Sequence, residues 1–114
     1  MDIERIKKIA SLDLRGNENI IRLNKLYKKI PIYKKMIEKE KDPENSEILL
    51  SIILNQNNKK KKGAKIHYIH VNEFLSTTII DKDNNYLVTV YGESLIEILK
   101  KALIIIYMVN KEEK

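Results

Sequence analysis

The chain has 114 residues, 43% hydrophobic and 33% charged, which suits one globular domain and excludes a disordered tail. Cysteine and tryptophan are absent and Phe74 is the only phenylalanine, so the core is aliphatic, and disulfides, thiolate metal sites and a cysteine nucleophile are excluded. The charge of +6 is lopsided: residues 1–63 hold 16 Lys and Arg against 9 Asp and Glu (+7), whereas residues 64–114 hold 6 against 7 (−1), which predicts a positive face on the first half.

Asp2 is placed to cap a first helix in which Ile3, Ile6, Ile9 and Ala10 share a stripe. Leu12 and Leu14 then alternate with polar residues up to Arg15 and Gly16, a loop or short edge strand. Residues 17–30 read as a second helix, with Ile20, Leu23, Tyr27 and Ile30 inward and Arg22, Lys25 and Lys29 on another stripe. Pro31 breaks that ladder and can open a third helix, with Ile32, Met36 and Ile37 inward and Lys34, Lys35, Lys39 and Lys41 outward. Asp42 and Pro43 restart the pattern as cap and first-turn proline. The helix they open runs to about Asn55. It carries Ile48, Leu49, Leu50, Ile52, Ile53 and Leu54, so it should be largely buried. The polar stretch beyond it, with residues 57–63 as a basic linker, contains Lys59, Lys60, Lys61, Lys62 and Gly63.

Downstream the period becomes two. Residues 64–71, 74–81 and 86–91 read as strands, the last pair joined by the turn Lys82, Asp83, Asn84 and Asn85. Short connections predict an antiparallel meander. Gly92 ends it, and Ser94 with Glu97 forms a capping box for a final helix. Leu95, Ile98, Leu99, Ala102, Ile105, Ile106 and Val109 form its apolar stripe, widened by Leu103, Ile104 and Met108. Either the N-terminal helices cover the excess, or a second copy does, as a homodimer through residues 95–109. The expected fold is α+β, a single two-layer domain over 1–114. It comprises a helical subregion 1–56, the linker 57–63 and a strand–strand–strand–helix unit 64–110.

The chemistry-bearing residues do not assemble into a familiar motif. His67 and His70, three apart on a strand, point to opposite faces and lack a third ligand. Asp81, Asp83 and Asn85 copy the start of a calcium loop, but Tyr86 stands where that loop needs glycine and Gly92 where it needs glutamate, so a polar hairpin turn is expected. Gly16, Gly63 and Gly92 each stand alone, which excludes a P-loop and a dinucleotide fingerprint. Glu73, Asp81, Asp83 and Glu93 lie at strand ends and turns and read as solubilising charges, not as a nuclease site. The expectation is a non-enzyme without metal or cofactor.

The basic set is the functional signal. Arg22, Lys25, Lys28, Lys29, Lys34, Lys35, Lys39 and Lys41 stand against only Glu38 and Glu40, with Tyr27 and Tyr33 interleaved. Lysine and arginine neutralise phosphates, and tyrosine can stack on an unpaired base. The dominance of lysine favours backbone contact over base reading. The competing reading is a solvated helix face, with Lys59, Lys60, Lys61 and Lys62 a charged loop tip. The expected partner is a nucleic acid or a nucleic-acid-handling complex, or else an acidic protein surface.

The longest apolar run, residues 102–109, is too short to cross a bilayer, and Met1, Asp2, Ile3, Glu4 and Arg5 form no apolar leader, so a cytoplasmic chain without membrane contact is expected. The strand Tyr86, Leu87, Val88, Thr89, Val90, followed by Ser94, Leu95, Ile96, Glu97, Ile98, Leu99, Lys100, Lys101, Ala102 and Leu103, resembles the end of the phage-encoded ABA sandwich domain. That resemblance implies a small phage or mobile-element protein and carries no chemistry over. As an alternative to nucleic-acid binding, a phage or plasmid inhibitor of a host protein is expected, for instance of a CRISPR-type defence nuclease; a small nuclease or toxin ranks third. The helix–strands–helix order also looks like a double-stranded RNA-binding domain. There, basic residues open the final helix; here Glu93, Ser94 and Glu97 would repel phosphate.

Overall fold

Helical periodicity upstream and two-residue alternation downstream separate into helices and sheet as the sequence implies. The computed structural model describes residues 3–13, 17–28, 30, 43–59, 63–70 and 75–112. Helix α1 spans Ile3–Ala10, α2 Asn17–Tyr27 and α3 Pro43–Asn58. Strands β1 (Lys65–His70), β2 (Leu75–Ile80) and β3 (Tyr86–Gly92) form an antiparallel meander in the order β1-β2-β3, and α4 (Leu95–Glu112) closes the chain. The α+β class and the long C-terminal helix are as expected. The reading of residues 31–42 lies outside the described residues.

Helix α4 organises the packing. It lies against β2 and β3 and is flanked by α3 towards β1 and by α1 towards β3, with α2 on it as well. The inner face of the sheet presents Ile66, Ile79 and Val88 in one cross-strand row and Thr77 opposite Val90 in the next. Ile98, Leu99, Ala102, Leu103, Ile105, Ile106 and Val109 meet that layer and the N-terminal helices. Ile104 is also buried, so most of the wide apolar stripe is covered within one chain, while Leu95 and Met108 stay half-buried. Away from the core, Thr78 and Thr89 are half-buried and Tyr86 and Tyr91 exposed, and Tyr86 Oη lies 3.1 Å from Thr89 Oγ1.

Local chemistry fixes the ends of the elements. Ser94 Oγ accepts from the Glu97 N–H at 3.3 Å, and Glu97 Oε2 accepts from the Glu93 N–H at 2.9 Å, which starts α4 at the capping box. In the hairpin, Asp81 Oδ1 accepts from the N–H groups of Asp83 and Asn85, both at 2.9 Å, and Asn84 takes the left-handed conformation with φ 64°. That is a turn built by an aspartate on its own backbone.

Two expectations are corrected. Helix α3 does not stop at Asn55; it continues to Asn58, into the stretch read as a linker. Asn57 and Asn58 hold the start of β1: Asn57 Nδ2 donates to Ala64 O at 2.7 Å. Asn58 gives and takes a bond with Ile66, donating to its carbonyl at 3.0 Å and accepting from its N–H at 2.9 Å. Nor is α3 buried nearly all round: Leu50, Ile53 and Leu54 are buried, but Ile48 and Ile52, one turn apart, are 58% and 44% exposed.

Candidate partner-binding surface

Helix α2 docks on α4 through part of the expected stripe. Leu23 and Ile30 are buried and Leu26 half-buried, while Ile20, expected inward, is 40% exposed. The inward row is Asn19, Leu23, Leu26 and Ile30, at steps of four, three and four. Asn19 belongs to it for a polar reason: its Nδ2 donates to Asp13 O at 2.7 Å and anchors the α1–α2 connection. Helix α2 also ends at Tyr27, three residues before the expected end, so Ile30 packs from beyond it.

Ile21, Arg22 and Lys25 of α2 and Lys28 just past its end are all exposed. Among the described residues no carboxylate lies within ion-pair distance of Arg22, Lys25 or Lys28. Lys59, just past α3, is exposed as well. Of the other residues proposed from sequence, Lys29, Tyr33, Lys34, Lys35, Lys60, Lys61 and Lys62 lie outside the described residues, as does the Tyr27 side chain. The structure brings together Arg22, Lys25 and Lys28.

A second polar constellation was not anticipated. Lys101 is only 1% exposed, yet it sits on the buried side of α4. Its ammonium donates to Leu12 O at 2.5 Å and Tyr91 O at 2.7 Å and pairs with Glu97 Oε1 at 3.3 Å. All three donors are engaged, so Lys101 ties the end of α1 and the end of β3 to α4. Burial lowers its pKa, opposed first by Glu97 and then by Asp13. A small hollow of about 200 Å³ beside it is lined by Ser11, Asp13, Glu93 and Glu97 among others. The available signal was Glu97 four residues before Lys101, an i,i+4 pair lying on the apolar side of a helix.

Among the described residues no group of three His, Cys, Asp or Glu side chains could hold a metal ion. The alternation used to separate His67 from His70 does not hold along β1: the register shifts between Ile66 and Tyr68, and His70 pairs with Ser76. The two imidazoles themselves lie outside the described residues. The Asp81 carboxylate is occupied by its own turn. No described helix is long and apolar enough to cross a membrane. Comparison with known proteins found no matching family model, no matching curated protein and no matching solved structure.

Proposed function

We propose that this protein is a non-enzymatic binding protein that engages nucleic acid through the solvent side of α2. The observation that supports the reading is the trio Arg22, Lys25 and Lys28, exposed and unpaired with carboxylates among the described residues. Cations that keep only mobile counterions release phosphate-bound ions on contact, and that release drives backbone binding. Lys29, Lys34, Lys35 and Lys59, Lys60, Lys61 and Lys62 extend the cationic set in sequence, and Tyr33 is the candidate stacking residue. Fluorescence anisotropy with labelled mixed-sequence DNA and RNA, single- and double-stranded, tests it. Binding at low salt is expected; no binding to any probe ends the reading. Cleavage of any probe with added magnesium or manganese ends its non-enzymatic part.

A second reading draws on a different observation. Ile20 and Ile21 are 40% and 55% exposed on the same helix, and Ile21, Lys25 and Lys28 follow one another at steps of four and three. A mixed apolar and basic strip suits an acidic protein surface better than a phosphate backbone. The chain would then act as a phage or plasmid inhibitor that occupies a host protein such as a defence nuclease. Ile21→Ser separates the two: it leaves nucleic-acid affinity unchanged and weakens a protein complex. A homodimer through α4 would have Leu95, Ile96, Tyr107 and Met108 to bury, which are only half-buried in the chain. Sedimentation as a monomer at high concentration sets it aside.

A further inference from the structure

No further inference is drawn: the strongest candidate, the small acid-lined hollow where the ends of α1 and β3 meet the start of α4, carries nothing, because Lys101 spends its three donors within the chain and Asp13 and Glu93 already have partners, so that no group there points to a ligand.

Discussion

Lys101 has three hydrogen-bond donors and three partners from three separate parts of the chain. Lys101→Met keeps the apolar stem and removes the charge, leaving Leu12 O, Tyr91 O and Glu97 without their shared donor. Breaking a buried pair from one side costs about 3 kcal/mol or more, so urea unfolding should show a large drop in stability; a drop below ~1 kcal/mol would mean that water replaces the ammonium. The pH dependence has a defined sign. Because burial lowers the Lys101 pKa below the ordinary 10.5, the unfolded chain binds more protons than the folded one between those two values. Stability therefore gains with rising pH in that window, and Lys101→Met should flatten the gain. Lys100 is shifted the same way by burial, so Lys100→Met is the control that separates them. A wild-type minus Lys101→Met difference that falls with rising pH would contradict the assignment. At Gly63, φ is +93° and an added Cβ would meet Asn110 Oδ1, which accepts the Ala64 N–H at 2.8 Å. Gly63→Ala should cost about 2 kcal/mol, from left-handed strain and the displaced amide together.

The elements show where sequence reasoning reaches. Periodicity places α1, the three strands and the capped start of α4, because each follows from a repeat of 3.6 or 2 or from a cap. On α2 it places Leu23 and Ile30 inward and Arg22 and Lys25 outward correctly but not Ile20, which is 40% exposed beside a half-buried Asn19 whose Nδ2 donates to Asp13 O, a bond that hydropathy does not register. It also ends α3 too early, because the polar run Asn55, Gln56, Asn57 and Asn58 reads as a linker. Asn57 and Asn58 instead bond to Ala64 and Ile66 at the start of β1. Asn58 offers Ile66 one donor and one acceptor, as a neighbouring strand would, and so blunts an open sheet edge. Asn58→Ala should destabilise by about 1–2 kcal/mol and speed amide exchange at Ile66 more than at Val88. Uniform protection across both strands would show that the edge does not depend on this clamp.

At the scale of the molecule, the asymmetry of charge was legible in the composition, and its placement on one helix in the spacing of Arg22 and Lys25. A cleft of about 480 Å³ where α1, α2 and α4 meet was not legible, because its described lining runs from Arg5 to Lys111, nearly the length of the chain. Of the two covers that the width of the α4 stripe allows, the N-terminal helices take most of it, because three of them share that one surface. The account rests on the cations of α2 acting as a docking face. Its most direct test is the salt dependence of nucleic-acid affinity for the wild type and for the triple variant Arg22→Gln, Lys25→Gln, Lys28→Gln. The wild type should lose affinity steeply as salt rises, and the variant should bind more weakly with a shallower log–log slope, by about 2–3 if each cation meets a phosphate. Identical slopes for the two proteins, or affinity indifferent to salt, would contradict it.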